Sequence, residues 1–323
     1  MEDYGIIDDP EHSDAFAADS VSLYGSPLDH LVADMDTPAF PYRAAAKALE
    51  GTPYVRERGR YIELLASSQR SVGSCVGWGE ARKLFLSLAA GVYMRGDEVG
   101  LPAQDGAPCM VSPAWCYAAS KQVVNKLSRK DGSNGSWAAR ATAEMGFLFR
   151  KEYPDFDARG YSEDICRRWG RSGVPTDSMP YALDQKFRGR VRVNNVEEAV
   201  ALCQSGYMLN LCNNEKPNDK RDAYGFCRPT GKWSHSETGA ICYVVYKMSP
   251  TKTLRGLGIL NSHGNNRYKG PYGDQTPDLP GGAYIYELND FQQCLDHQDT
   301  WASFDLDGLQ PPAKDWEVKA NVA

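Results

Sequence analysis

In the first half of the chain, apolar residues recur with the spacing of helices. After Cys75, apolar residues continue at three- and four-residue intervals as far as Gly91, which predicts a long buried helix. The same pattern predicts further helices over residues 113–126 and 137–150. A helical layer is therefore expected to form from the first half of the sequence.

The second half of the chain has a different pattern. Residues 240–248, 257–261 and 282–288 form short runs rich in β-branched and aromatic residues, which predicts strands. Helices followed by strands, without internal repeats, are typical of an α+β protein. We expect a helical half facing a β-rich half.

The composition indicates a globular chain. Its 323 residues, 42% of them hydrophobic, can form one large or two small domains. No apolar run is long enough to span a bilayer, and the N-terminus lacks the basic and apolar parts of a secretion signal, which predicts a cytoplasmic protein without a membrane partner. Nine cysteines without a Cys-x-x-Cys or Cys-x-x-His pair predict reduced, buried thiols, no metal site and no cofactor.

Acidic residues are concentrated near the N-terminus. Residues 1–42 contain ten Asp or Glu and no Lys or Arg, so the rest of a chain with formal net charge −6 is net positive. This pattern favours a solvated arm over a docking segment or a mask over a basic cleft. We predict an acidic arm over 1–59, a catalytic domain over 60–290 and a C-terminal arm over 291–323, with no nucleic-acid partner.

A candidate nucleophile lies in the stretch "SSQRSVGSCVGWGEARKLFLSLAAG". Cys75 stands at the predicted start of a helix, where the helix dipole and free backbone N–H groups favour the thiolate. Gly73 and Gly77 flank it and allow a tight turn and close approach of a substrate. Gln69 lies six residues upstream, where its amide could donate a hydrogen bond to a developing oxyanion beside the Cys75 N–H.

A thiolate nucleophile needs a base, and the chain has five histidines. His235 is the best candidate, because it lies in "GKWSHSETGAICYVVYK", directly ahead of an apolar strand. Asn261 ends another predicted strand and opens the turn "NSHGNNR", where its amide could orient the imidazole. The order along the chain is Cys, His, Asn.

These motifs resemble those of the papain-like cysteine peptidases. The matching parts are Gln69 six positions before Cys75, "WSH" ahead of a strand, "NSHG" and the closing "GGAYIYEL", over about residues 60–290. The resemblance implies an α+β, two-lobed fold with a cleft that binds a polypeptide substrate between the lobes. It also implies that Cys75 is the nucleophile, His235 the general acid and base, Asn261 the orienting group and Gln69 an oxyanion donor.

Several positions depart from the family pattern. Val72 stands where a cysteine is common, and the missing disulfide agrees with a reducing compartment. Val76 follows the nucleophile in place of Trp, and His263 replaces the Trp of the Asn-Ser-Trp turn. The segment "GSNGS" lies where the family pairs with an extended peptide. The predicted substrate-binding residues are Gly73, Ser74, Trp78 and Gly135.

Two other functions remain open at this point. Papain-like chains with "GSCVG" nucleophile segments occur in bacteria and bacteriophages, so the chain could be a structural component of a virion or other assembly, active or inactive. Its terminal arms would then bind copies of the chain or other assembly proteins. A cell-wall peptide hydrolase of the Cys-His class is the other alternative, which Asn261 disfavours and His263 favours.

Overall fold

A computed structural model describes residues 6–24, 31–43, 45, 68–95, 101–104, 107–264, 268 and 279–306. Within these ranges a long helix, several shorter helices and a large sheet form most of the structure. The helices of four or more residues are α1 (Pro10–Tyr24), α2 (Cys75–Arg95), α3 (Pro113–Gln122), α4 (Gly135–Glu144), α5 (Glu163–Ser172), α6 (Met179–Leu183), α7 (Val196–Gln204) and α8 (Leu288–Leu295).

The strands form one seven-stranded sheet and two small hairpins. The hairpin strands are β1 (Ala103–Gln104) with β2 (Ala107–Pro108), and β3 (Glu152–Tyr153) with β4 (Phe156–Asp157). The sheet strands are β5 (Phe187–Arg192), β6 (Leu209–Pro217), β7 (Phe226–Cys227), β8 (Pro229–Ser249), β9 (Lys252–Leu260), β10 (Ala283–Glu287) and β11 (Trp301–Leu306). Their order across the sheet is β5-β11-β6-β8-β9-β10-β7, and only the β10–β7 pair is parallel.

Helix α2 packs against α3 and α4 on one side and against strands β6 and β8 on the other, and two glycines make this possible. A Cβ on Gly77 would lie 2.5 Å from the Pro113 carbonyl oxygen of α3. A Cβ on Gly79 would lie 2.4 Å from Asn210 Oδ1 of β6 and 2.8 Å from Ser236 Oγ of β8. Because neither position carries a side chain, α2 contacts the helical layer on one side and the sheet on the other. The predicted α+β, two-lobed arrangement is confirmed.

The predicted helices differ from the observed ones mainly at their ends. The first continues to Arg95, four residues beyond Gly91. The second ends at Gln122, just before Asn125 adopts a φ of 56°. The third spans Gly135–Glu144, because Asn134 caps its start and Gly146, with a φ of 76°, turns the chain after its end. Turn residues outside the apolar pattern set these boundaries.

The described residues of both predicted arms pack against the rest of the structure. Residues 10–24 form α1, which packs on α4 and β5 instead of extending into solvent. Ala39 pairs with Tyr243 through two backbone hydrogen bonds. At the other end, β11 lies inside the sheet between β5 and β6, so the predicted boundary at residue 290 cuts through α8. Residues 307–323 lie outside the described part.

The core has two main apolar clusters. One joins the helical layer to one face of the sheet, and the other lies under the opposite face together with α7 and α8. All nine cysteines are buried free thiols. In the described ranges, no helix combines the length and apolar character needed to cross a bilayer.

Candidate active site

Cys75 is the first residue of α2 and is 0% exposed. The backbone N–H of Ser236 donates a hydrogen bond to its sulfur, and the Val76 amide adds another. Burial raises the pKa of the Cys75 thiol to about 12, although these hydrogen bonds favour the thiolate. In the conformation described, the sulfur is therefore a protonated thiol at neutral pH.

The hydrogen bond from Ser236 places the Cys75 sulfur beside the strand that carries His235. The imidazole of His235 is also 0% exposed, and it contacts two aromatic rings that also contact each other. The Trp233 centroid is 4.7 Å away, and the His263 ring stacks on His235 at 4.4 Å with an interplanar angle of 17°. These contacts fix the ring plane of His235 on β8.

Two groups approach His235 Nε2. Ser262 Oγ lies 3.5 Å from it and Glu237 Oε1 lies 4.0 Å from it. Ser262 also donates a hydrogen bond to Gln69 Oε1. If Nε2 carries the proton, it faces two acceptors, and Nδ1 is left as the basic nitrogen.

Asn261 makes different hydrogen bonds from those predicted. Its Nδ2 donates to the Gly282 carbonyl at 2.5 Å, and its Oδ1 accepts from the His263 backbone N–H at 2.6 Å. Among the described residues it makes no hydrogen bond to His235. The amide therefore holds the turn after β9, and its predicted role in orienting the imidazole has no hydrogen bond to support it here.

Gln69 lies next to the site, but its donor is occupied. Its side chain is 3% exposed, and Nε2 donates to the Val72 carbonyl at 3.1 Å. Its backbone N–H donates to the Ser262 carbonyl at 2.9 Å, which joins the segment before α2 to the turn after β9. To act as an oxyanion donor, the Gln69 amide would have to exchange Val72 for the substrate oxygen.

Three of the predicted substrate-binding residues make contacts inside the protein that leave little of their surface open to a substrate. The Gly73 N–H donates to Asp131, and Ser74 Oγ lies 3.2 Å from the Tyr161 hydroxyl. The Trp78 ring is 1% exposed and meets the Tyr161 ring edge-on at a centroid distance of 4.9 Å. In the conformation described, Trp78 is a core residue, and only the half-buried Gly73 is partly accessible.

The fourth, Gly135, begins α4. Its N–H donates to the buried Asp299 carboxylate at 2.6 Å, and a Cβ there would lie 2.4 Å from the Asp299 carbonyl oxygen. The "GSNGS" segment nevertheless does pair with an extended chain, because Ser133 forms a parallel bridge with Ile6. The peptide that it holds is the protein's own N-terminal segment.

This N-terminal segment covers the candidate nucleophile. The Ile7 N–H donates to the Ser133 carbonyl at 2.6 Å, and the Ser234 hydroxyl donates to the Ile6 carbonyl at 3.4 Å. Ile6 is 5% exposed and belongs to a small apolar cluster with Cys75. The other members of that cluster are Val76, Ala138 and Cys212. The burial of the Cys75 thiol therefore depends in part on residues that precede α1.

Sequence reasoning missed a buried carboxylate beside the imidazole. Glu237 is 1% exposed, and the Tyr284 hydroxyl of β10 donates to its Oε2. Burial lowers the pKa of the Arg82 guanidinium to about 9, while attraction to Glu237 opposes that shift. The signal for this residue was the sequence His-x-Glu on a strand, which places both side chains on the same face.

The described residues hold no cluster of three or more His, Cys, Asp or Glu side chains suited to a metal ion. The chemistry available to them consists of a thiol, an imidazole, a carboxylate and several hydrogen-bond donors.

Comparisons with known proteins find structural likenesses without a match to a family model or a curated protein. Among solved structures, it is similar to xylellain, a cysteine protease from Xylella fastidiosa, with 15% identity and a TM-score of 0.46 over 74% of this chain and 81% of that one. It is also similar to digestive procathepsin L 3 of the Tenebrio molitor larval midgut, with 11% identity and a TM-score of 0.43 over 91% and 89% of the two chains.

Proposed function

We propose that this protein is a cysteine peptidase, with Cys75 as the nucleophile and His235 as the general acid and base. The observation that carries the proposal is the hydrogen bond from the Ser236 backbone N–H to the Cys75 sulfur. It joins the first residue of a buried helix to the residue directly after a buried histidine. A thiol at a helix start beside an imidazole is the arrangement that activates sulfur for acyl transfer.

In the proposed reaction the proton of the Cys75 thiol moves to His235 Nδ1, and the sulfur attacks the carbonyl carbon of a peptide bond. The Cys75 N–H and the Gln69 amide stabilise the oxyanion. His235 then gives its proton to the leaving amine, and the C–N bond breaks. His235 next accepts a proton from water as that water attacks the thioester, and the acid product and the free thiol are released.

The reaction requires a more open conformation than the one described. Cys75 and His235 are both fully buried, and Ile6 lies in the apolar cluster around the sulfur. A peptide carbonyl can reach the sulfur only after the N-terminal segment moves. We therefore expect low activity from the intact, undisturbed chain.

A cysteine comparison tests the proposal. We expect Cys75→Ala to lower the rate of peptide hydrolysis by at least about 1,000-fold, because removing a nucleophile removes the covalent step. Cys203→Ala is the matched control, since Cys203 is an equally buried thiol in α7, outside the small apolar cluster around Cys75. Rates would be measured with a mixture of fluorogenic peptides, and folding by circular dichroism. Hydrolysis by Cys75→Ala at the rate of Cys203→Ala would refute the assignment of the nucleophile.

A further inference from the structure

Asn261, predicted to orient the imidazole, is occupied elsewhere. Both polar atoms of its side chain bind backbone groups, those of Gly282 and His263. A histidine base still needs a partner at Nε2 that fixes the tautomer and stabilises the imidazolium formed during the reaction. Among the described residues, Ser262 approaches Nε2 of His235 to 3.5 Å and Glu237 approaches it to 4.0 Å.

Glu237 has the charge that this task requires. It lies two residues after His235 on β8, so both side chains are on the same face of the strand. A carboxylate at this distance in a buried site attracts an imidazolium far more strongly than a neutral amide or hydroxyl does. It is 1% exposed, so little of that attraction is lost to solvent.

The carboxylate is itself held in place from two other elements. The Tyr284 hydroxyl of β10 donates to Oε2, which leaves Oε1 directed to the imidazole. Arg82 of α2 attracts the same carboxylate, and its guanidinium also donates to the Asn261 carbonyl. A buried carboxylate with a phenol donor and a guanidinium nearby is stabilised as the anion.

We propose that Glu237 is the positioning residue for His235: its carboxylate, fixed by Tyr284, aligns the imidazole and stabilises its protonated form. This inference rests on the proposed function. During the transfer, the proton moves from the Cys75 sulfur to His235 Nδ1, and Glu237 remains ionised throughout. The titratable or charged side chains around the pair include Cys75, Arg82, Cys227, His263, Tyr284, Tyr286 and Cys294.

The negative charge acts on the two reacting groups in opposite directions. It raises the pKa of the Cys75 thiol, but less than burial does, and less than the Ser236 and Val76 amides lower it. It favours the imidazolium from only 4.0 Å. The net effect of the carboxylate is therefore to stabilise the imidazolium that forms once the thiol has given up its proton.

The test is an NMR titration of His235 in the full-length protein. The signal of His235 among the five histidines would be assigned from its loss in His235→Gln. We expect Glu237→Gln to lower the pKa of His235 by about one to three pH units, the usual effect of removing an opposite charge at this range. Glu237→Asp, which keeps the charge, should restore most of the difference.

The variant Asn261→Ala shows whether Asn261 or Glu237 orients the imidazole. We expect it to leave the pKa of His235 within about half a pH unit of the unmodified protein's, because it removes no charge. If Asn261→Ala shifts that pKa and Glu237→Gln does not, the proposal is overturned. Glu237→Gln also removes the carboxylate that attracts Arg82. Backbone amide spectra recorded in the same experiment would show whether this variant loses its fold.

A kinetic readout separates a positioning role from a purely structural one. In Glu237→Gln the alkaline limb of the kcat/KM profile should move to lower pH together with the pKa of His235, while a structural defect would lower the whole profile without moving the limb. The titration needs no substrate. It can therefore fail while Cys75→Ala still abolishes hydrolysis, or succeed while no hydrolysis is found, so the two proposals are tested separately.

Discussion

At the scale of single residues, the position of α2, which carries Cys75, depends on two residues that have no side chain. The two glycines of "CVGWGE" allow α2 to approach α3 on one side and the sheet on the other. At Gly77 the atoms closest to a Cβ are the Pro113 carbonyl oxygen and the Tyr117 Cβ and backbone nitrogen. Backbone atoms inside a packed helix pair cannot move aside without shifting the whole helix.

Gly77→Ala should therefore be destabilising although alanine is the better helix former. Alanine gains about 1 kcal/mol of helix propensity, whereas forced overpacking of a core costs about 1–3 kcal/mol. The added Cβ would lie 2.5 Å from an oxygen, so we expect overpacking to prevail and the free energy of unfolding to fall by about 1–2 kcal/mol. Urea unfolding would measure it. Gly231→Ala, with open space around the added Cβ, is the control and should change stability little.

At the scale of elements, the segment before α1 and the start of α2 control the state of the thiol together. Ile6 pairs with Ser133, and its side chain is in the apolar cluster that includes Cys75. Burial is the largest cause of the pKa of about 12 at Cys75. Anything that admits water to the sulfur should therefore lower that pKa and increase the thiolate fraction.

We expect Ile6→Ala to make Cys75 more reactive toward iodoacetamide at pH 8. Each unit by which the pKa falls toward its usual value increases the thiolate fraction about tenfold, so we expect labelling at least about tenfold faster. Peptide mapping after short exposures would identify the labelled cysteine. Val32→Ala, on a side chain that is 73% exposed, is the matched control. Equal labelling rates for the two variants would show that Ile6 does not control access to the thiol.

At the scale of the whole molecule, Asp299 joins parts of the chain that are distant in sequence. It accepts hydrogen bonds from Ser13 of α1, from the Gly135 and Ser136 amides at the start of α4, and from the Trp301 indole of β11. Burial raises the pKa of its carboxyl, and these four donors oppose that shift. The terminal segments are thereby part of one folded unit, while their predicted role in an assembly stays a prediction.

Asp299→Asn should loosen this junction. The side-chain amide would direct an N–H group at one of the four donors, and an unsatisfied buried donor costs about 1–3 kcal/mol. Thermal unfolding at pH 7 should show a lower Tm for this variant than for Asp184→Asn, which changes an exposed aspartate. A Tm for Asp299→Asn equal to that of the control would mean that the carboxylate does not hold the two ends of the chain together.

Periodicity in the sequence predicted the types of the main elements correctly. The helix that begins at Cys75, the two helices after it and the strands around residues 240–248, 257–261 and 282–288 all form. Their ends were predicted less well, because caps and left-handed residues such as Asn125 and Gly146 determine where a helix stops. The packing of the described terminal segments was not predicted, since charge composition does not reveal which backbone groups will find partners.

The sequence by itself determined which residues could do chemistry, because a thiol at a helix start and a histidine ahead of a strand are local features. Only the tertiary structure decided which partners those residues have. The Asn261 amide is engaged by Gly282 and His263, whereas Glu237 and Ser262 approach His235 Nε2. These contacts depend on the register of β8 against β9 and on the packing of α2, and both are set by long-range burial that no local pattern encodes.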